Sequence, residues 1–324
     1  MVNPHLSILL VVIPLLAAPV TALLPHGRLP WVLTVLVTSL CLWFSAQILA
    51  DTLAGNTIHY ELGGWAPPWG IAYEIDALNA LVACVVSLIA TLVSLYARYS
   101  VSVDIPESKQ AQFYAAYQLC LLGFLGMSLT GDIFNVFVFL EISSLATYAL
   151  IAMGRRRQAI IAAFQYLVLG TIGATFFLIG IGLAYSATGT LNMADLAMRL
   201  NDNVHVRTVQ TAFGFIFIGM ALKAAMFPLH LWLPRAYIYA PVVISAFLAG
   251  TATKVAIYVI ARTTFSVFTI SYVITTAFNE LMILFGAIAV LYGAIQAIRQ
   301  TSVKPLLAWS SLSQIGYFMI GIGL

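Results

Sequence analysis

Long apolar runs dominate this chain of 324 residues and constrain its fold more than any other feature. A helix needs about 20 mostly apolar residues to cross the hydrocarbon core of a bilayer. Ten such runs are present, separated by short polar stretches: 6–24, 31–50, 77–96, 111–130, 133–153, 159–187, 209–227, 241–261, 281–297 and 306–324. The sequence therefore predicts an all-α polytopic membrane protein with about ten transmembrane helices.

Charged side chains make up only 8% of the chain, whereas a soluble domain carries roughly 25%. So few charges do not solvate the surface of a globule, which excludes a soluble enzyme, a nucleic-acid-binding protein and a disordered chain. Cys41, Cys84 and Cys120 lie within apolar runs without paired spacing, so they predict neither a disulfide framework nor a metal cluster. The sequence has no glycine-rich phosphate loop and no Ser-His-Asp set, and we expect no catalytic site, metal or cofactor in this chain.

Two apolar stretches need a separate interpretation. Residues 6–24 lack the basic segment that precedes the apolar core of a signal peptide, so we interpret them as a retained first helix. Residues 263–279 are also apolar, but the whole stretch 263–298 is too short for two spans and a turn. We therefore expect one helix there, with an apolar approach.

Basic residues between the runs predict the orientation, because loops that face the cell interior are enriched in Lys and Arg. With the N-terminus outside, the inner loops hold nine of the 14 basic residues: Arg28, Arg98, Lys109, Arg155, Arg156, Arg157, Arg235, Arg299 and Lys304. The outer loops hold three, which are Arg199, Arg207 and Arg262. The acidic loop 51–74 has no Lys or Arg, as expected for an outer loop. We predict a protein integral to the cell (inner) membrane with both termini outside.

Three ionisable residues lie within the apolar runs: Glu141, Lys223 and Lys254. Such a residue costs about 2.5–3.5 kcal/mol at a helix centre on an insertion scale, and it marks a functional site by default. One acid and two bases on three separate helices suit a proton relay through buried ion pairs. The alternative is a structural salt bridge between helices. Asp132 and Glu280 lie at the edges of runs, where an interfacial role is favoured.

The stretch after Lys223 predicts a broken helix at membrane depth. Pro228 and Pro234 each lack a backbone donor and disrupt the preceding turn. An interrupted helix in a membrane is tolerated where it is buried in protein or lines a wet cavity. His230 lies between the two prolines and can transfer protons near neutral pH. It is a candidate for the relay, and a hydrogen-bonded packing role is the alternative.

Four stretches carry a family resemblance: G-D-I-F-N-V-F-V-F-L-E-I at 131–142, K-A-A-M-F-P-L-H-L-W-L-P at 223–234, T-K-V-A-I-Y-V-I-A-R at 253–262 and K-P-L-L-A-W-S-S-L-S-Q-I-G-Y at 304–317. With these residues the chain resembles the antiporter-like membrane subunits shared by respiratory complex I, membrane-bound hydrogenases and the Mrp multisubunit Na+/H+ antiporters. The resemblance extends over essentially the whole chain.

The resemblance implies roles for the buried charges. Glu141 matches the family's acid in the fifth helix, Lys223 the lysine of the broken seventh helix, and Lys254 the lysine of the eighth helix. In this family the acid–lysine pair governs proton movement along a central polar axis. The stretch S-A-F-L-A-G at 245–250 lacks the histidine that complex I-type members often carry there, which favours a likeness to the Mrp D component.

The resemblance also implies an organisation in repeats. Family members usually have about fourteen helices around two inverted five-helix repeats. On this pattern residues 1–110 hold three N-terminal helices, 111–262 a complete first repeat and 263–324 the start of a second, so the chain is C-terminally short. The missing helices would lie on another chain, or the chain would be a truncated product or a degenerate subunit. We expect small and polar residues to line the exposed flank of the last two helices, where another membrane subunit would bind: Gly286, Gly293, Gln296, Ser310, Ser311, Ser313, Gln314 and Gly316.

The leading functional interpretation is a proton-translocating subunit of a multisubunit monovalent cation/proton antiporter. Its partners would be other membrane subunits, protons, a monovalent cation such as Na+ and the lipid bilayer, with no nucleic acid. The first alternative is the proton-pumping module of a redox-driven complex, of the NADH:quinone oxidoreductase or membrane hydrogenase type. The second is a non-transporting membrane scaffold, against which the three buried charges argue. The cation, the direction and the stoichiometry of transport stay open at this point.

Overall fold

The computed structural model describes residues 3, 5–25, 27–201, 207–268 and 278–324. Helices make up nearly all of this part of the chain, and the predicted all-α class is confirmed. A helix is what an apolar run must form in lipid, because it satisfies every backbone N–H and C=O within the segment.

The helices are numbered in chain order. They are α1 (His5–Leu23), α2 (Leu29–Leu53), α3 (Ala77–Asp104), α4 (Glu107–Leu129), α5 (Ile133–Ala152), α6 (Arg157–Thr188), α7 (Met193–Asn201), α8 (Arg207–Ala224), α9 (Trp232–Tyr239), α10 (Val242–Gly250), α11 (Ala252–Arg262), α12 (Phe278–Ile298) and α13 (Val303–Gly323). A π-helical turn, Thr263–Val267, continues α11, and a 3-10 turn, Leu62–Gly64, follows the first of two short strands.

Within the described ranges, eight helical segments are long and apolar enough to cross a membrane: α1, α2, α3, α5, α6, the combined segment Val242–Val267, α12 and α13. Each coincides with a predicted run. The two remaining runs, 111–130 and 209–227, correspond to α4 and α8. The count of ten spans stays a prediction. The apolar approach expected at 263–279 lies partly outside the described residues.

The run 241–261 predicts one helix, and here the structure differs. The chain leaves regular helical geometry at Thr251, so α10 ends at Gly250 and α11 begins at Ala252. The Thr251 hydroxyl donates to the Phe247 carbonyl at 2.7 Å, which satisfies one acceptor at the end of α10. No proline marks this interruption, so hydropathy alone does not indicate it.

The chain divides into two compact units. The first comprises residues 1–164 and 239–251, and the second comprises residues 165–238 and 252–324. The predicted segments 1–110, 111–262 and 263–324 describe sequence repeats and not packing units, and that division stays a prediction.

In the first unit, α4 packs against α1, α2, α3 and α5. Gln118 of α4 donates to the Thr21 hydroxyl of α1 at 3.0 Å and to the Thr34 hydroxyl of α2 at 2.9 Å. A β-carbon on Gly126 of α4 would collide with the Phe139 ring of α5, so glycine permits the close approach of these helices. Gln118 and Gly126 thus lie at the contacts of α4 with α1, α2 and α5.

The acidic outer loop predicted at 51–74 contains a β-hairpin. Its strands are β1 (Ile58–Glu61) and β2 (Ala72–Ile75), which pair antiparallel with His59 opposite Glu74. The Gly131 amide donates to the Ala72 carbonyl at 2.9 Å, so the hairpin rests on the turn between α4 and α5. The hairpin therefore covers the N-terminal end of the helix that carries Glu141.

In the second unit, α12 and α13 pack closely along most of their length. β-carbons placed on Gly286 and Gly316 would each meet the other residue's carbonyl oxygen, and one on Gly293 would meet the Ser313 backbone. These small residues therefore line the contact between α12 and α13.

The expectation of a small and polar exposed flank on these two helices is wrong for Gly286, Gly293, Ser313 and Gly316, which are buried. Of the other residues expected there, Gln314 is exposed, and Gln296, Ser310 and Ser311 are half-buried. The exposed side chains of α12 and α13 are mainly large and apolar, among them Leu284, Leu291, Ile295, Leu307 and Phe318. Small residues allow backbones to approach, so they are used where two helices meet and leave the long apolar side chains facing outward.

Gly316→Ala is expected to destabilise the protein by about 1–3 kcal/mol, because the added methyl group overpacks a backbone contact. Gly321, in the same helix, has open space where a β-carbon would lie, so Gly321→Ala serves as the matched control. There we expect no loss, since alanine favours helix over glycine. Thermal unfolding in detergent would measure both, and equal shifts for the two variants would contradict the proposed close contact.

Candidate functional site

The four candidate relay residues are divided between the two units. Glu141 lies in the first unit, whereas Lys223, His230 and Lys254 lie in the second. The pairing of Glu141 with Lys223 therefore stays a prediction.

Glu141 lies near the middle of α5 and is half-buried. Ser144 and Tyr148 follow it at spacings of three and seven residues, so all three share one face of the helix. The Ser144 and Tyr148 side chains are hydrogen-bonded, and the carboxyl group is close enough to act electrostatically on the phenol. This polar row was not predicted, although the helical spacing of its members is visible in the sequence.

Asp132, predicted to be interfacial, is buried and caps the N-terminus of α5. Its carboxylate accepts from the Asn135 amide at 2.7 Å, and the Asn135 side chain in turn donates to the Thr130 hydroxyl at 3.0 Å. Glu280 lies exposed in the first turn of α12, where a negative charge is favourable. Both acids thus stabilise helix starts.

The helix that carries Lys223 ends in a Schellman-type turn. The Met226 amide donates to the Ala221 carbonyl at 2.9 Å, and the Ala225 amide donates to the Leu222 carbonyl at 3.2 Å. Ala225 adopts a φ of 56°, a left-handed conformation that costs an L-residue about 1–2 kcal/mol. Alanine at a position that favours glycine indicates that the surrounding structure holds the break in place.

The structure contains the predicted break, and there it extends from Ala225 to Leu231. Pro228 lies inside it. Pro234 is the third residue of α9, where the missing N–H would have no helical partner in any case. Pro234 therefore belongs to the start of the second helix, and Pro228 is the proline within the break.

Trp232 is the first residue of α9, directly after the break. Its indole N–H donates to the Leu222 carbonyl at 2.8 Å, which gives a further donor to a carbonyl at the end of α8. Its ring stacks on Tyr166 of α6, with centroids 4.0 Å apart and an interplanar angle of 12°. The tryptophan is buried. Through these two contacts it connects α6, α8 and α9 at the point where the backbone leaves regular helical geometry.

Lys223 is only 4% exposed, and its ammonium nitrogen lies 5.2 Å from the centroid of the Tyr166 ring. An aromatic face attracts a cation, by about 2 kcal/mol or more when water is excluded. The same ring thus contacts Trp232 on the break and stabilises the charged form of Lys223. Nothing near Lys223 in the sequence indicates Tyr166, which lies 57 residues earlier.

His230 lies within the break and is 3% exposed. Its ring contacts Phe227, Tyr292 and Trp309, with centroid distances of 5.2, 5.5 and 6.2 Å. In the described part of the chain neither ring nitrogen makes a hydrogen bond. The hydrogen-bonded packing role considered for His230 is therefore not observed. The Pro228 backbone lies close enough to interact electrostatically with the imidazole.

Lys254 lies in the first turn of α11, which packs against α8. Phe213 near the start of α8 contacts Phe268 just after α11, with centroids 5.0 Å apart, so the two helices run antiparallel. The last turn of α8, with Lys223, is therefore on the same side as the first turn of α11. This geometry places both lysines at one end of a helix pair.

Hydroxyl groups extend the polar surroundings of Lys254. Its ammonium donates to the Thr253 hydroxyl at 3.4 Å. Tyr237 of α9 is hydrogen-bonded to the same Thr253. A row of a phenol, an alcohol and an amine suits proton transfer, because each group can both donate and accept in one of its states.

A known membrane family shares this sequence pattern. Residues 130–324 match the family described as NADH:quinone oxidoreductase/Mrp antiporter. The chain is 42% identical to the N component of NADH-quinone oxidoreductase from Desulforudis audaxviator, over 98% of this chain and 64% of that protein. It is 31% identical to the D component of the Na+/H+ antiporter from Alkalihalophilus pseudofirmus, over 99% of this chain and 64% of that protein. The chain thus spans about 64% of the length of these relatives.

Two solved structures share the fold. A chain of the membrane-bound sulfane sulfur reductase, an archaeal respiratory membrane complex, superimposes with a TM-score of 0.91 at 34% identity, covering 99% of this chain and 65% of that one. A chain of the Mrp complex from Dietzia sp. superimposes with a TM-score of 0.87 at 26% identity, covering 99% of this chain and 58% of that one.

Proposed function

Since the chain belongs to the NADH:quinone oxidoreductase/Mrp antiporter membrane family, we propose that it is a proton-translocating subunit of a multisubunit monovalent cation/proton antiporter. It is an integral polytopic membrane protein. The observation that carries the proposal is the placement of Lys223: a buried amine at the end of a broken helix, over an aromatic ring and on the same side as Lys254.

The proposed route begins at Glu141. When its carboxylate is charged, it stabilises the protonated Lys223; when it is neutral, the buried ammonium loses that partner and releases its proton more readily. His230, whose two ring nitrogens make no hydrogen bond with the described residues, and Lys254 receive the proton in turn. Residues 111–262 form the first of two inverted repeats in this proposal, and other membrane subunits are the partners of the chain.

A redox-driven complex is the second candidate. The 42% identity to the N component of an NADH-quinone oxidoreductase and the superposition on a chain of a respiratory membrane complex favour it. The missing histidine at 245–250 and the relatives from Na+/H+ antiporters favour the antiporter. The two candidates share the proton route and differ in what drives it.

Inverted membrane vesicles that hold the assembled complex distinguish the two. A respiration-independent pH gradient is imposed, and Na+, Li+ or K+ is added while a pH-sensitive dye is followed. For an antiporter we expect at least one cation to collapse the gradient without any electron donor. A gradient that forms only with an electron donor, together with no response to any of the cations, would assign the chain to a redox-driven complex.

The proposed location is the cell membrane, with the N-terminus outside. Single cysteines at Arg156, in the basic loop, and at His59, in the hairpin, test the orientation in intact cells. We expect an impermeant thiol reagent to label His59→Cys directly and Arg156→Cys only after permeabilisation. The unsubstituted chain is the control for Cys41, Cys84 and Cys120, of which Cys41 and Cys120 are buried. Direct labelling of Arg156→Cys would reverse the topology.

A further inference from the structure

The first unit contains a polar pocket that the proton route does not use. It has a volume of about 780 Å³ and lies between the turn that joins α3 to α4 and the turn that joins α5 to α6. Charged side chains of both signs line it: Asp104 and Glu107 on one turn with Lys109, and Arg155 on the other. Such a pocket suits a ligand that carries a positive and a negative group together.

The four charged side chains make no ion pair and no side-chain hydrogen bond with the described residues. The uncharged polar groups beside them are occupied, since Gln110 donates to the Ile105 carbonyl at 3.2 Å. The two carboxylates and two cations around this cavity can therefore form hydrogen bonds and ion pairs with a ligand. A phosphate would be bound by lysine and arginine, and an ammonium by the carboxylates.

The pocket lies at the level of lipid headgroups. It is formed where α3 and α5 end and where α4 and α6 begin, and α5 with its 20 residues is about 30 Å long, the thickness of the hydrocarbon core. Two apolar side chains that line the pocket are exposed, namely Val103 of α3 and Ile160 of α6, and Phe164, one helical turn after Ile160, is exposed as well. An acyl chain can therefore extend along these side chains while its headgroup occupies the pocket.

We propose that this pocket binds a phospholipid whose headgroup carries both a phosphate and a primary amine, which is phosphatidylethanolamine. Phosphatidylglycerol has no ammonium for Asp104 and Glu107. The quaternary amine of phosphatidylcholine does not donate hydrogen bonds to them. The basic groups at the inner end of membrane helices commonly recognise lipid headgroups, and the two acids here select among headgroups. The site requires a membrane protein but not the proposed proton route.

The test is native mass spectrometry of the full chain in detergent, titrated with the three lipids carrying identical acyl chains. We expect phosphatidylethanolamine to be retained about tenfold better than the other two lipids. Lys109→Gln/Arg155→Gln should lose this retention. Asp104→Asn/Glu107→Gln should instead prefer phosphatidylglycerol, because the phosphate-binding cations remain. Arg207→Gln, which removes an exposed arginine of the second unit, is the matched control and should bind like the unsubstituted chain.

Equal retention of all three lipids, or unchanged retention in both double variants, would mean that only unselective surrounding lipid is bound, and the proposal would fall. Lipid extraction from the purified assembled complex provides an independent check. We expect phosphatidylethanolamine to copurify in a ratio that Lys109→Gln/Arg155→Gln lowers. A complex without bound lipid, in which a partner protein fills the pocket, would also overturn the proposal.

Discussion

Replacing Lys223 by alanine is expected to abolish proton-coupled transport by the assembled complex without unfolding the chain. The lysine is 4% exposed and contacts the Tyr166 ring. Bulk water therefore does not reach this site to solvate a charge that the substitution leaves unpaired. In the proposed pairing with Glu141, the variant leaves a carboxylate without compensation, at a cost of about 3–5 kcal/mol. The carboxyl group then stays protonated and cannot switch. Proton flux into vesicles, measured at equal expression levels, reports the loss.

The pairing with Glu141 is tested by a double-mutant cycle. Glu141→Gln alone should also abolish flux. The double variant Glu141→Gln/Lys223→Ala should be more stable than either single variant and still inactive, because no buried charge is left unpaired. Arg299→Ala, at an exposed position, serves as the control for loss of a positive charge and should transport normally. Normal flux by a stably expressed Lys223→Ala variant would falsify the proposed route.

Trp232→Ala is expected to produce the largest loss of stability of any single substitution at the helix break. The variant removes the stacking on Tyr166 and the hydrogen bond to the Leu222 carbonyl. Truncating a buried tryptophan costs about 3–5 kcal/mol. Because the Tyr166 ring also contacts Lys223, its displacement should reduce proton flux as well.

Trp232→Phe separates the two contributions, because it keeps a ring for stacking and loses only the hydrogen bond. We expect a loss of about 1–3 kcal/mol, the penalty for an unsatisfied buried polar group. Trp69→Ala is the matched control, since Trp69 is 91% exposed. Thermal unfolding in detergent measures all three, and equal midpoints for Trp232→Ala and Trp69→Ala would rule out the role of Trp232 at the break.

Local chemistry made the class of the protein and the position of its candidate site predictable. Apolar runs of about 20 residues determine membrane helices, because length and hydropathy are properties of a single segment. Glu141, Lys223 and Lys254 were identified because a charge within such a run is costly wherever the run packs. The break near Pro228 was predicted because proline disrupts a helix through its own ring. Each of these inferences depends on the residue or segment itself and not on the residues that contact it in the folded protein.

The surroundings of the same residues were decided by the tertiary structure alone. Tyr166 lies under Lys223, and Tyr292 and Trp309 surround His230, although long stretches of chain separate them. A one-dimensional pattern does not specify which face of an apolar helix meets which neighbour, because nearly all faces are apolar. Gly286 and Gly316 show the same limit: small residues suit either a helix contact inside the chain or one with a partner, and only the packing of α12 on α13 distinguishes these.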